Sequence, residues 1–293
     1  MENKPTYPRA KQRYVRVLTI AGSDSSGGAG IQADLKTISA LGCYGMTAIT
    51  AITAQNTVGV KAVQVLPADL LQAQIEAVVE DIGVDAVKIG MLPSIEQIQV
   101  VAQAIEHYQF PWVVLDPVMV SSSGTALMEP GSVAAMVAEL FPRVSLVTPN
   151  LDEASLLLGR SVARTEEMDN AASALLTLGA KAVLLKGGHL PGDQMVDVLA
   201  QPGLGVVRWQ SPRIVSGNLH GTGCTLASAI ASYLALGHGL GQAISLARDY
   251  LMHAIVRGAE VQTGQGQGPL NHGHSPVALC LRPADPAAQD EQG

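Results

Sequence analysis

The segment with the clearest chemical potential runs from His220 to Ala229 and reads His-Gly-Thr-Gly-Cys-Thr-Leu-Ala-Ser-Ala. Gly221 and Gly223 would allow a close backbone approach, and the small apolar residues after them favour a helix. The N–H groups at a helix N-terminus lie at its positive end and could bind an anion. Cys224 would lie in the first turn, where a thiol's pKa falls and the sulfur could act as a base. A glycine turn with a small buried cysteine explains the pattern equally well.

Polar side chains elsewhere could complete a phosphate site. In Asn150-Leu-Asp-Glu153 the spacing is that of a helix capping box. Alternatively, the Glu153 carboxylate could hold a hydrated Mg²⁺ beside nucleotide phosphates. Asp116 precedes a proline and is either a turn residue or a second carboxylate on the metal side. Lys186 precedes two glycines and is either a surface lysine or a phosphate contact.

These residues must be positioned by short apolar segments that alternate with longer amphipathic ones. Strands are predicted at Tyr14–Ile20, Met46–Thr53, Ala86–Ile89, Trp112–Leu115, Leu146–Thr148, Ala182–Leu185, Val196–Leu199 and Val206–Trp209. Helices are predicted at Gly30–Leu41, Ala68–Ile82, Ile95–His107, Ser132–Leu140, Leu151–Leu158, Glu166–Leu178, Cys224–Leu236 and Leu240–Glu260. Several strands are apolar throughout, as expected when helices cover both faces of a parallel sheet. The alternation predicts one doubly wound α/β domain over residues 14–275, with residues 1–13 and 276–293 as flexible tails.

Polar residues follow the ends of several of these predicted strands. They are Ser23-Asp24, Gln55-Asn56, Asp116, Asn150 and Lys186-Gly-Gly-His189. Open α/β sheets bind their ligands beyond the carboxyl ends of the strands. Each position alone could be a turn, but together they favour a ligand site at this edge of the sheet.

Composition excludes several classes of protein. The 293 residues are 47% hydrophobic and 15% charged, with a net charge of −7 and 3% aromatic residues. This balance fills a core, but it supplies neither a basic groove nor a stacking platform for nucleic acid. The three widely spaced cysteines, Cys43, Cys224 and Cys280, are expected to be free thiols. Because we find no signal peptide and no apolar run of 18 residues, we expect a cytoplasmic protein that does not contact the membrane.

Two common nucleotide motifs do not account for the chain. No lysine follows a glycine, so the P-loop motif is absent. Gly28–Ala33 matches GxGxxA, but it lies eight positions beyond Ile20, too far for the tight first turn of a dinucleotide fold. The second strand also ends in Gln55-Asn56, without the acid that binds a ribose. A dehydrogenase is therefore a weaker alternative.

Several segments together resemble the hydroxymethylpyrimidine and phosphomethylpyrimidine kinases of thiamine synthesis. They are Ala21–Lys36, Tyr44–Thr57, Lys88–Leu92, Asp116–Met119, Thr148–Ala154, Lys186–His189, His220–Thr225 and Gly264–Leu270. The resemblance extends over nearly everything from Val15 to His274. It implies a single three-layer ribokinase-like domain, in which a central, mostly parallel sheet has helices on both faces.

The resemblance also implies roles for individual residues. Those expected to hold the pyrimidine are Gly22, Asp34 and Gln55, with Met91 and Val118 packing against it. Those expected on the nucleotide and metal side are Asn150, Lys186 and Thr222 for ATP, and Asp116 and Glu153 for Mg²⁺. Those expected to be catalytic are Lys186, the anion hole at Gly221 and Gly223, and Cys224 as the base.

Three functional hypotheses follow from this resemblance. The first is a kinase that phosphorylates hydroxymethylpyrimidine and then its monophosphate, with Cys224 needed mainly in the first step. The second is a pyridoxal kinase, because the sugar kinases of this superfamily usually carry Asp where this chain has Cys224. The third is a pyrimidine sensor without turnover, against which the intact Lys186, Glu153 and Gly-Thr-Gly-Cys set argues. We also expect a homodimer with a small-molecule substrate.

Overall fold

The computed structural model describes residues 11–119, 127–188, 190 and 192–285. Its strands are β1 (Gln12–Tyr14), β2 (Arg16–Asp24), β3 (Tyr44–Asn56), β4 (Gly59–Val65), β5 (Ala86–Ile89), β6 (Val113–Leu115), β7 (Leu146–Val147), β8 (Val183–Lys186), β9 (Gln194–Gln201), β10 (Gly205–Pro212) and β11 (Leu281–Pro283). Its helices are α1 (Gly30–Ala40), α2 (Ala68–Asp81), α3 (Ile95–Tyr108), α4 (Ser132–Glu139), α5 (Leu151–Leu158), α6 (Met168–Leu176), α7 (Thr222–Ala235) and α8 (Leu240–Gly258). A 3₁₀ turn at Thr165–Glu167 precedes α6.

The main sheet has the strand order β10-β9-β8-β7-β6-β5-β2-β3-β4. The strands from β8 to β3 pair in parallel, whereas β4, β9 and β10 are joined by antiparallel pairing at the two edges. The chain order reverses at β2, which pairs with β3 on one side and with β5 on the other. Such a reversal opens a crevice beyond the carboxyl ends of the strands, where α/β proteins bind ligands.

Helices cover both faces of this sheet, so the predicted three-layer α/β fold is confirmed. On one face, Ile75 of α2, Ile98 of α3 and Met168 of α6 belong to one core with inward residues of the parallel strands. On the other face, α1, α7 and α8 pack against the alternate strand residues. Most of α7 is buried at the centre of that face. Its small residues, such as Ala227 and Ala231, let the helix lie close to the strands.

Strand β4 is an element that the sequence patterns did not predict. It lies at the edge of the sheet, and most of its side chains are at least partly exposed. A strand of this kind has no buried apolar face to produce a clear alternation. Its turn is formed by Asn56, whose Oδ1 accepts hydrogen bonds from the N–H groups of Val58 at 3.0 Å and Gly59 at 3.2 Å. In the described part of the chain, no helix is long and apolar enough to cross a membrane.

Part of the two segments expected to be flexible tails forms a second, small sheet. Strand β1 pairs with β11 in antiparallel register. The N–H of Val277 donates to Ala40 O at 3.0 Å, and the N–H of Cys280 donates to Gly42 O at 2.7 Å. The carbonyl groups at the end of α1 and in the turn after it therefore bind the C-terminal segment. Backbone acceptors leave no pattern in the sequence, so this attachment could not be predicted. Residues 1–10 and 286–293 lie outside the described residues.

We expect a chain that ends after Pro276 to be less stable than one that ends after Asp285. The shorter chain loses β11 and the backbone hydrogen bonds of Val277 and Cys280. Each bond contributes about 0.5–1.5 kcal/mol to the free energy of unfolding. Losing both should therefore lower the Tm by roughly 3–10 °C. Thermal unfolding of both chains measures the difference, and the longer chain is the control for losing residues 286–293. Equal Tm values would show that this segment does not stabilise the domain.

Candidate active site

A cavity of about 750 Å³ lies at the carboxyl ends of the central strands. It extends from β2 and β3, past β5 and β6, to β8 and the N-terminus of α7. Its lining includes Gly22, Gln55, Met91, Asp116, Val118, Asn150, Glu153, Lys186, Gly221, Thr222, Gly223 and Cys224. At least one residue from each of the five strand ends lines this cavity, together with the start of α7, whereas Asn56 does not. His189 lies outside the described residues. Of the residues to which the resemblance gave a role, Asp34 is not part of the lining.

Asp34 lies beneath the cavity and not in its lining. The side chain is fully buried on α1 and accepts hydrogen bonds from Thr19 Oγ1 and Ser228 Oγ, each at 2.6 Å. The fully buried Lys88 ammonium is 2.8 Å from the same carboxylate. Asp34 was predicted to hold the pyrimidine, but its oxygens are engaged within the protein. The structure instead brings Lys88, which sequence reasoning did not single out, to the cavity.

Lys88 keeps its positive charge at the floor of the site. Burial disfavours the ammonium, but the charge and hydrogen bond of Asp34, together with the charges of Cys224 and Asp116, outweigh burial and raise the pKa of Lys88 above its usual value. A buried charge of this kind persists only when it is paired. The Lys88-Ile-Gly-Met segment at the end of β5 was the one sequence signal that could have revealed this residue.

Lys186 and Asp116 form a second ion pair at the ends of β8 and β6. Lys186 Nζ is 2.7 Å from Asp116 Oδ1, which also accepts from Thr148 Oγ1 at 3.0 Å. Burial lowers the pKa of Lys186, but Asp116 and Glu153 outweigh that effect, so the pKa is raised. Lys186 is thus a charged group facing the cavity and not a surface lysine.

Asn150 and Glu153 form the capping box that their spacing allowed. Glu153 Oε2 accepts from the Asn150 N–H at 2.7 Å, and Asn150 Oδ1 accepts from the Glu153 N–H at 2.8 Å. Both residues also line the cavity, so the capping role and a ligand role are compatible. Burial, helped by Asp116 and opposed by Lys186, raises the pKa of Glu153 to about 7.

The N-terminus of α7 faces this second ion pair. Gly221 caps the helix at φ +85°, and a Cβ there would lie 1.9 Å from Gly28 O, so only glycine fits. A Cβ on Gly223 would be 3.2 Å from Asp116 Oδ2 and 3.3 Å from Lys186 Nζ. The first turn of α7 therefore lies against the lysine and the carboxylate, at the end of the helix where backbone N–H groups have no intrahelical partners. This is a suitable environment for a phosphoryl group.

Cys224 lines the cavity, but its pKa shift is opposite to the one expected. Burial raises the pKa of the thiol to about 11, and Asp34 and Asp116 add to the increase. The nearby Lys88 charge lowers the pKa by less than burial raises it. The expectation that the first-turn position lowers the pKa is therefore wrong for this site, because burial outweighs the favourable end of the helix.

Two further polar groups at the cavity were not identified from the sequence. His220 Nε2 is 2.8 Å from Asp24 Oδ2 and 3.3 Å from one end of the Gln55 amide. Arg248 of α8 pairs with Asp197, whose Oδ1 accepts the N–H of Gly187 at 3.0 Å. Asp24 at a strand end and His220 at the head of the glycine motif were visible signals. The Arg248 pair was not foreseen from any pattern.

Comparison with known proteins places these observations in a family. The phosphomethylpyrimidine kinase family model matches residues 24–271. The hydroxymethylpyrimidine/phosphomethylpyrimidine kinase of Rhizobium meliloti (strain 1021) is 51% identical over 258 residues, which are 88% of this chain and 96% of that protein. The chain belongs to the phosphomethylpyrimidine kinase family.

Two solved structures show how closely the fold follows related kinases. Phosphomethylpyrimidine kinase from Clostridium difficile 630 is 46% identical, with a TM-score of 0.72 over 82% of this chain and 99% of that one. Pyridoxal kinase from Staphylococcus aureus, in complex with AMP-PCP and pyridoxal, is 35% identical, with a TM-score of 0.81 over 92% of this chain and 98% of that one. The ribokinase-like fold is thus confirmed, and sequence identity is greater to the pyrimidine kinase.

In this family member, we expect Gly223→Ala to lower kcat/KM for ATP at least about tenfold without loss of stability. The methyl group would intrude between Lys186 and Asp116, whereas alanine favours a helix over glycine by about 1 kcal/mol. Gly241→Ala is the matched control, because Gly241 is also the second residue of its helix and a Cβ there would meet nothing within 4 Å. Steady-state kinetics and thermal unfolding test both variants. Similar activities in the two would show that the space at Gly223 is not used.

Proposed function

We infer that this protein transfers the γ-phosphoryl group of ATP to 4-amino-5-hydroxymethyl-2-methylpyrimidine and then to the resulting monophosphate. The product would supply the pyrimidine half of thiamine. The observation that carries the inference is the convergence of Lys186, Asp116 and the N-terminus of α7, which no side chain caps, in one cavity with Gln55. Family membership supports the choice of the acceptor.

The phosphoryl side of the cavity offers positive charge from two sources. Lys186 would contact oxygens of the transferring group, and the N–H groups of Gly221–Cys224 would stabilise the charge that develops on them. Catalysis of phosphoryl transfer rests mainly on such positioning and electrostatic stabilisation. Asn150 and Thr222 line the same region and are proposed to contact the nucleotide.

Asp116 and Glu153 are proposed to hold Mg²⁺ together with the nucleotide. Carboxylate oxygens are the ligands that Mg²⁺ prefers, and this ion commonly keeps several waters and binds through one or two carboxylates plus phosphates. Among the described residues, no group of three or more His, Cys, Asp or Glu could hold a metal by itself. The donor set therefore fits an ion that is shared with substrate. When bound, Mg²⁺ would neutralise phosphate charge.

The acceptor side offers apolar surface and one amide, which would suit a flat polar ring. A Cβ on Gly22 would lie 3.2 Å from Met91 Sδ, so the absence of a side chain keeps this wall open. Met91 and Val118 contribute apolar surface, and Gln55 contributes an amide that can donate and accept. We propose that these residues bind the aminopyrimidine.

Cys224 remains the proposed acceptor of the proton from the substrate hydroxyl. With a pKa of about 11, roughly 10⁻⁴ of the thiol is ionised at pH 7. A thiolate that forms at this position is correspondingly more basic than an ordinary one. The second transfer needs little of it, because a phosphate monoester has its second pKa near about 6 and is already ionised.

Pyridoxal is the second candidate acceptor. The Staphylococcus aureus pyridoxal kinase in complex with pyridoxal shares the fold at a TM-score of 0.81. Identity to the pyrimidine kinases is higher, which favours the pyrimidine. A cytosolic location agrees with the free thiols of Cys43, Cys224 and Cys280. A homodimer remains our proposal, and light scattering of the purified protein tests it.

The proposed function is tested by incubating the protein with MgATP and each acceptor separately. We expect hydroxymethylpyrimidine to be converted to the monophosphate and then to the diphosphate, with pyridoxal turned over more slowly and ribose not at all. Mass spectrometry of the products follows both steps. Accumulation of the monophosphate without diphosphate at high ATP would rule out the second activity, and preference for pyridoxal would favour the other kinase.

We expect Cys224→Ala to slow the first phosphorylation about 10²–10⁴-fold and the second less than about tenfold, since only the hydroxyl acceptor needs a general base. In the wild type, the thiolate fraction rises tenfold per pH unit below the raised pKa of about 11. The first-step rate should therefore increase from pH 6 to pH 9, while the second is flat above pH 7. Cys280→Ala is the control, because Cys280 lies in the C-terminal segment. Equal losses in both steps would contradict a base role.

A further inference from the structure

His220 connects three parts of the acceptor side. Its Nε2 is 2.8 Å from Asp24 Oδ2, at the end of β2, and 3.3 Å from one end of the Gln55 amide, near the end of β3. His220 and Asp24 are buried, with only 7% and 3% of their surfaces exposed. His220 also immediately precedes Gly221, the cap of α7. A change in the position of the His220 side chain would therefore change the position of the Gln55 amide.

Asp24 determines which nitrogen of His220 carries a proton. Its carboxylate accepts from Ser26 N–H at 2.8 Å, Ser26 Oγ at 2.7 Å and Ala29 N–H at 2.9 Å. Burial raises the pKa of Asp24, but these donors and His220 outweigh it and hold the pKa well below its usual range. An ionised carboxylate can only accept hydrogen bonds, so His220 Nε2 must be a donor.

The proton on His220 Nε2 in turn orders the Gln55 amide. The two ends of an amide have the same shape, so hydrogen-bond partners decide which is oxygen and which is nitrogen. Gln55 Oε1 is placed 3.1 Å from Thr53 Oγ1, and Gln55 Nε2 is placed 3.3 Å from His220 Nε2, so that two nitrogen donors face each other. Exchanging the two ends of the amide brings its oxygen to His220, where it shares the single Nε2–H with Asp24. The Thr53 hydroxyl has a single hydrogen, which can be donated to Ser23 O at 3.0 Å. Only with the amide oxygen towards His220 and the NH₂ towards Thr53 do all these groups find complementary partners.

We propose that Asp24 and His220 are positioning residues that fix the orientation of the Gln55 amide and so set the order of donor and acceptor offered to the acceptor ring. In this arrangement one N–H and one oxygen lone pair of Gln55 remain for a ligand. A 4-aminopyrimidine has an amino donor beside a ring-nitrogen acceptor, which matches that pair in one in-plane orientation. The ring is thereby turned so that its 5-hydroxymethyl group has a fixed direction. The inference rests on the proposed function, because it assigns the acceptor to Gln55.

The test compares two ligands on several variants in the absence of ATP. The ligands are the 4-amino acceptor and an analogue with hydrogen in place of the amino group, and calorimetry measures both Kd values. We expect the wild type to bind the amino compound at least about tenfold more tightly, as one well-ordered hydrogen bond allows. His220→Phe keeps a ring but removes the N–H, and it should reduce the preference to about two- to threefold.

Two further variants separate ordering of the amide from a general structural role. His220→Gln places an N–H donor near the position of Nε2 and should restore most of the preference. Thr53→Val removes the partner of the other amide end and should reduce the preference as His220→Phe does. If His220→Phe fails to fold, the preference of Thr53→Val for the amino compound tests the proposal by itself. His272→Asn is the control, because His272 is a buried histidine that contacts Thr225 of the same helix. It should leave the preference unchanged.

The proposal is overturned if His220→Phe and Thr53→Val retain the wild-type preference. It is also overturned if they weaken both ligands equally, which would show a structural role only. Failure of the wild type to bind the amino compound at all would instead reject the proposed function. The two failures are therefore distinguishable.

Discussion

The carboxylate of Asp34 is the point at which the elements of this active site are joined. It lies on α1 and contacts Thr19 of β2, Lys88 of β5 and Ser228 of α7. All four side chains are fully buried. Removing one partner of such a pair leaves an uncompensated charge and costs about 3–5 kcal/mol, a large part of the usual 5–15 kcal/mol of net stability. The position of α7 relative to the two central strands therefore depends on a polar contact and not on apolar packing alone.

Two lysine–aspartate pairs give the cavity its electrostatic character. Lys88–Asp34 lies beneath it and Lys186–Asp116 at its wall, with the N-terminus of α7 near both. Each aspartate allows its lysine to stay charged without water, but it also cancels part of the lysine's effect on a neighbouring group. Cys224 shows the result, because Lys88 lowers its pKa while Asp34, Asp116 and, above all, burial raise it. A charged lysine at the cavity wall and a thiol that is neutral at rest are thus consequences of the same arrangement.

The parts of the site that could be predicted were those with local signals. Glycine spacing in Gly221–Gly223 and polar residues at strand ends identified the polar side chains of one wall, such as Asp116 and Lys186, and apolar periodicity identified the layers. The contacts of Asp34 with Thr19, Lys88 and Ser228 could not be predicted, because a helical sequence does not reveal which buried groups a carboxylate will meet. The Asp24–His220 contact joins residues 196 positions apart, so no spacing rule could anticipate it. The pKa of Cys224 depends on burial by several elements, a quantity that one segment cannot show.

A single phosphoryl site can serve two acceptors of different length only if one side of the cavity is fixed and the other can adjust. The fixed side is evident: Lys186 is held by Asp116, Gly221 admits no side chain, and Asp197 holds the backbone after Lys186. The adjustable side contains Met91, an unbranched thioether against the open face of Gly22. Methionine adapts to neighbouring shapes at little energetic cost. A change in the rotamer of this side chain alters the apolar wall of the cavity and leaves Lys186, Asp116 and the N-terminus of α7 in place.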